Sequence, residues 1–132
     1  MKLLTLPQKK QLEKLEVSAI YVFGSSVEGF SLPDSDFDIG VLMSKRINGI
    51  NKNKLYNRLY EFFTELLPGK NLDIIFLNTA SLELKFDVVS HGKVIFEAES
   101  QARLKFEDHT VLQYADFHPL LKQFNRALLH RI

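Results

Sequence analysis

Hydrophobic and polar positions fall in blocks along this chain, and the blocks read as a succession of strands and helices. Ala19, Ile20, Tyr21, Val22 and Phe23 form a short continuous apolar run, the pattern of a buried strand. Ahead of it, Pro7 to Leu15 reads as a short helix, with proline in the first turn and Leu12 and Leu15 on one face. Behind it, Gly24-Ser25-Ser26 allows a sharp turn into a one-turn helix ending near Gly29, and 31–35 reads as a loop. A second strand is expected from Asp36 to Met43. Asn48-Gly49 breaks the chain, and Asn51 to Leu66 then carries Leu55, Leu59, Phe62, Phe63 and Leu66 at helical spacing. Pro68-Gly69 ends that helix and a third strand starts near Leu72.

Thr79 or Ser81 can cap a further helix holding Leu82, Leu84, Phe86, Val88 and Val89, which stops before Gly92. Lys93 to Glu97 reads as an edge-type strand, and a helix follows from Ser100 to about Phe117. Leu104, Phe106, Val111, Leu112 and Ala115 are expected to cover the sheet from it. His118-Pro119 is expected to interrupt this helix, because the residue before a proline is pushed out of helical geometry. The last segment, 119–132, is amphipathic, with Leu120, Leu121, Phe124, Ala127 and Leu128, and is expected to make contacts outside its own domain. These elements predict an α/β (α+β) fold, a small mixed β-sheet with helices mainly on one face.

Composition narrows the picture. A chain of 132 residues is one domain, 1–132, and 45% hydrophobic residues with eleven Phe supply a core. Seventeen basic against sixteen acidic residues, with no basic run, argue against direct nucleic-acid binding. With no cysteine there is no disulfide, thiolate zinc site or cysteine nucleophile. The apolar stretch before Pro7 is too short for a signal peptide and no segment has the length of a membrane span, so a cytoplasmic protein without a membrane partner is expected. The four histidines are scattered, which fits solvated or capping roles rather than a metal site.

The candidate chemistry lies in carboxylates at strand starts. In Asp36-Phe37-Asp38 the two acids share one face of a strand, with Cα atoms about 7 Å apart, within reach of one hard cation. Alone, Pro33-Asp34-Ser35-Asp36 would be turn chemistry. Asn71-Leu72-Asp73 adds a third carboxylate at the start of another apolar strand. Three such groups repel one another unless a divalent metal neutralises them. Gly24 would let the backbone approach phosphates, to which the Ser25 hydroxyl and the amides that follow, from Ser26 on, would donate hydrogen bonds. Together these residues make a place to hold phosphates and Mg²⁺.

Gly-Ser, ten residues, Asp-x-Asp and a later strand-opening Asp resemble the nucleotidyltransferases of the DNA polymerase beta superfamily. The short length and the layout after Asp73 are most similar to the minimal nucleotidyltransferases, antitoxin partners of HEPN-domain toxins. The resemblance covers 17–77, the strand-like 91–100, and a tail with Arg103, Phe106, Tyr114, Asp116 and Pro119. It departs at Ser26 and Glu28, where many relatives carry basic residues. It implies a Mg²⁺-dependent transfer of AMP from ATP to a tyrosine of a HEPN-type toxin. Asp36, Asp38 and Asp73 would be catalytic and hold two Mg²⁺ ions, and Gly24, Ser25 and Ser26 would bind the nucleotide. The partner would be the toxin, in a hetero-oligomer or beside a homodimer. Two alternatives stand: an antitoxin that neutralises by binding alone, and a small-molecule transferase of the aminoglycoside-modifying kind, which the lack of a second domain weakens.

Overall fold

All seven residues of the first strand are buried, so the rest of the chain has to cover both of its faces. The structure is a computed structural model that describes residues 4–24, 36–47 and 49–130. Within these lie α1 (Leu6–Lys14), β1 (Val17–Phe23), β2 (Asp36–Met43), α2 (Gly49–Leu66), β3 (Asn71–Phe76), a 3₁₀ turn (Leu77–Thr79), α3 (Leu82–His91), β4 (Lys93–Glu97) and α4 (Ser100–His130). The expected one-turn helix near Gly29 and the loop 31–35 lie outside the described residues.

The strands form one mixed sheet in the order β3-β2-β1-β4. β1 runs antiparallel to β2 and β4, whereas β2 and β3 are parallel. The parallel pair needs a crossover, and α2 provides it. Thr5 caps α1 through a reciprocal pair: its hydroxyl accepts from the Gln8 N–H, and its own N–H donates to Gln8 Oε1 at 2.9 Å. Asn78 fixes the far end of β2, accepting from Met43 N–H at 2.8 Å and donating to Met43 O at 3.0 Å.

The mixed sheet is as expected, but its helices lie on both faces rather than mainly on one. Leu12 of α1 and Leu59, Phe62 and Phe63 of α2 pack with Val17, Ile20, Val22, Phe37, Ile39 and Val41. On the other face, Val88 of α3, with Leu84 and Phe106 beside it, packs with Ala19, Tyr21, Phe23 and Leu42. Two covered faces follow from the wholly buried β1, which no single layer could shield.

The expected break at His118-Pro119 does not occur: α4 continues through Pro119 to His130. Proline removes one N–H donor there, yet Pro119 is exposed, so water can take the carbonyl it leaves bare. Stacking holds the helix on the near side. Phe86 of α3 lies flat on Tyr114, ring centroids 3.8 Å apart, and Tyr114 in turn stacks on His118 at 5.4 Å. His118 is therefore half-buried in a ring stack rather than solvated or a cap.

The packed face of α4 also differs from the one expected. Leu104, Val111, Leu112 and Ala115 are exposed, and the helix meets the body through Phe106, Thr110 and Tyr114. A polar cluster sets this rotation. Tyr21 OH donates to Glu107 at 3.0 Å, and Arg103 donates to both Glu107 oxygens and to Glu97 on β4. Burial, with the Glu107 carboxylate beside it, pushes the Tyr21 hydroxyl's pKa above the ordinary tyrosine value, so it stays a donor. Tyr21→Phe is expected to cost about 1 kcal/mol, because Arg103 still holds Glu107. Arg103→Ala strands two carboxylates beside each other and should cost about 2–3 kcal/mol. Urea unfolding of both variants checks the order, and equal losses would show that Arg103 does not organise the cluster.

Candidate active site

β1 ends at Phe23 where β2 begins, and this edge of the sheet gathers the candidate residues. Phe23 pairs with Asp38 across the antiparallel ladder. On the other side of β2, the parallel register sets Asp36 against Asn71 and Asp38 against Asp73. Residues paired in register share a sheet face, and Asp36 and Asp38 are two positions apart on one strand. The three carboxylates predicted from the sequence therefore stand on one face, the face of Tyr21 and Phe23, at one edge. Asp36 and Asp73 are exposed and Asp38 is half-buried between them.

Gly24 closes the site from above. Its φ of +69° lies in the left-handed region, and a methyl group at this position would run into the Asp38 Oδ2. Glycine is thus required twice, for conformation and for space. Ser25 and Ser26, the other predicted nucleotide-binding residues, lie outside the described residues.

Electrostatics mark Asp38 as the centre. Its pKa is raised above the ordinary carboxylate value, first by burial, then by the charges of Asp73 and Asp36. Proximity of like charges is a cost in the protein alone and an attraction for a cation. Among the described residues no three His, Cys, Asp or Glu side chains form a ready-made metal cage. Mg²⁺ does not require one: it is held by one or two carboxylates, with waters and substrate phosphates completing its shell. All-oxygen donors at an open edge fit that ion.

A cavity of about 520 Å³ among the described residues lies elsewhere, at the Met43 end of β2. It is lined by Lys14, Lys45, Arg46, Lys54 and Arg58, and Glu16 is its lone acid, paired with Lys45 at 2.8 Å. Its lining is mostly basic and holds no group of carboxylates like the one at the β2–β3 edge. Sequence reasoning missed Asn78 and the Tyr21–Glu107–Arg103 cluster, for which no local signal exists. Outside the core, Tyr60 is exposed and its ring stacks on Tyr56 with centroids 6.2 Å apart.

Comparison with known proteins agrees with this geometry. The pattern of the polymerase beta nucleotidyltransferase family matches residues 8–101, which hold the whole sheet and all three aspartates. The chain belongs to that family. Its fold is also that of solved toxin–antitoxin complexes. A chain of one such complex, solved with AMP-PNP, is 24% identical, with a TM-score of 0.67 over 92% of this chain and 98% of its own. A chain of the complex between tri-AMPylated Shewanella oneidensis HEPN toxin and MNT antitoxin is 22% identical, with a TM-score of 0.62 over 93% and 97%. The MntA–HepT toxin–antitoxin complex gives 21%, 0.62, 95% and 99%. At these identities the fold is what is shared. No curated protein sequence matches the chain. Among the described residues no helix is long and apolar enough to cross a membrane.

The raised Asp38 pKa has a stability consequence. Between the unfolded and folded pKa values the native state binds more protons than the unfolded state, so stability falls as pH rises through that window. Without metal, Asp38→Asn should therefore be more stable than the wild type near pH 7 and lose less stability between mildly acidic and neutral pH. Melting temperatures in chelator across that range test this, and parallel curves would remove the charge cluster as the cause.

Proposed function

We propose that the protein is a Mg²⁺-dependent adenylyltransferase that moves AMP from ATP onto a tyrosine of a HEPN-type toxin, and so acts as the antitoxin of the pair. The observation that carries this is the register that sets Asp38 against Asp73 with Asp36 beside them, below Gly24. Support for the substrate comes from the structurally similar complexes, one solved with AMP-PNP and one containing an AMPylated toxin. Such a pair works inside the cell, in keeping with a cytoplasmic placement.

In this reading Asp36 and Asp38 would hold two Mg²⁺ ions, and Asp73 would help hold the one that serves the attacking hydroxyl. The bound metal would neutralise the pyrophosphate leaving group and lower the pKa of the attacking hydroxyl. Gly24 would let the backbone approach the β- and γ-phosphates, to which Ser25 and Ser26 are expected from the sequence to donate hydrogen bonds. The tyrosine oxygen forms a bond to the α-phosphorus while the bond to the bridging oxygen breaks, and pyrophosphate leaves. The phenolic proton would pass to the Asp73 carboxylate. Tyrosine suits this task because its pKa near 10 lies within reach of deprotonation, well below that of a serine hydroxyl. An open sheet edge suits an acceptor that brings its own walls, as a protein loop does.

Incubation with the HEPN-type toxin, MgATP and the wild-type chain should raise the toxin mass by whole adenylyl groups. Asp36→Asn or Asp38→Asn should leave the mass unchanged and reduce the thermal shift that MgATP produces. Full neutralisation by Asp36→Asn with no mass change in the wild-type reaction would give the case to inhibition by binding alone. Gly24→Ala is a second test. Strain and the encounter with Asp38 should destabilise the protein by roughly 1–3 kcal/mol and abolish transfer. An active Gly24→Ala variant would refute the role of this turn.

A further inference from the structure

α4 is longer than the body it packs on. Its 31 residues span about 46 Å, whereas a compact domain of this size has a radius of gyration near 14 Å. Its start lies beside the start of β1, where Ala98 N–H donates to Ser18 O at 2.8 Å. Arg103 then meets Glu97, which pairs with Ala19, and Glu107 meets Tyr21. Four helical residues and two strand residues both advance about 6–7 Å, so α4 follows β1 toward Gly24. Its stacked contacts end at His118, and the helix continues past the strand end where Asp36, Asp38 and Asp73 stand.

That overhang is apolar and uncovered. Phe117, Leu120, Phe124 and Leu128 recur at helical spacing, and Leu120 and Phe124 are 64% and 62% exposed. Such an exposed row marks an interaction surface. Charge and area select its occupant. After Asp116 the sequence has Lys122, Arg126 and Arg131 and no acid. A second copy would bring like charges together. Side-by-side pairing of two overhangs would bury only about 700 Å² in total, short of the roughly 1,000 Å² of a stable interface.

We propose that the overhang, residues 117–130, is the docking arm for the acceptor protein, seated in an apolar groove edged by carboxylates. This rests on the transferase reading above and adds to it the surface that holds the acceptor at the catalytic edge. A groove encloses the helix on more than one side and meets its basic positions with acids.

The test uses the full chain and the HEPN-type toxin. Leu120→Glu/Phe124→Glu should weaken toxin binding at least tenfold in titration calorimetry and slow its adenylylation, with the MgATP thermal shift of the free chain unchanged. Lys122→Glu/Arg126→Glu should weaken binding most at low salt. Unchanged toxin affinity in both variants overturns the proposal while leaving the transferase reading intact. Wild-type toxin binding through the arm without adenylylation overturns transfer and keeps the arm. A wild-type dimer in sedimentation that Phe124→Glu dissolves assigns the face to a second copy, and arm-dependent binding to anionic vesicles in place of toxin assigns it to a membrane. Either result refutes the proposal, and a wild-type chain that does not bind the toxin refutes both readings.

Discussion

The parallel pairing of β2 with β3 is the constraint on which the site depends, because register alone decides whether Asp38 meets Asp73. A slip of one residue would send Asp73 to the opposite face, among the side chains of α2, and leave Ile74 at the solvent edge. The apolar positions prevent that slip. Phe37 and Ile39 on β2, and Ile74 and Phe76 on β3, are buried in the α2 layer and cannot be exchanged for the charged positions between them. Packing on one face of the sheet thus enforces carboxylate proximity on the other.

That proximity opposes folding in the protein alone, and burial of Asp38 adds to it. The same repulsion would favour a cation placed among the three carboxylates, because its charge would offset theirs. Gly24 belongs to this arrangement. It lets β1 turn away with a left-handed residue at the one place where a side chain would occupy the space of the Asp38 carboxylate.

On the same face a second polar arrangement works differently. Arg103 joins Glu97 of β4 to Glu107 of α4, and Tyr21 of β1 completes it. Here opposite charges are matched, and the outcome is orientation: α4 is rotated so that Phe106, Thr110 and Tyr114 meet the body, and its direction is fixed along β1. A helix started in that direction, with Tyr114 and His118 stacked along it, carries its remaining turns beyond the sheet toward the edge that holds the three aspartates.

Much of this was legible in the chain. The apolar run 19–23, the alternation in Asp36-Phe37-Asp38 and the stripe from Leu55 to Leu66 identify their elements, because each reports which face of one local element is buried. Gly24 and the three aspartates were legible for the same reason, as residues placed where periodicity ends. The covering of both sheet faces was not, since a continuous apolar run does not say from which side each helix arrives. Nor was the passage of α4 through Pro119, where the local preference for a break is outweighed by a ring stack that includes Phe86, distant in sequence. The partners of Tyr21 likewise depend on residues 86 positions away. Sequence determined the strands, the helices and the acids at their ends; the tertiary structure decided the register that brings those acids together and the direction of the helix that passes them, because both arise from contacts between distant segments.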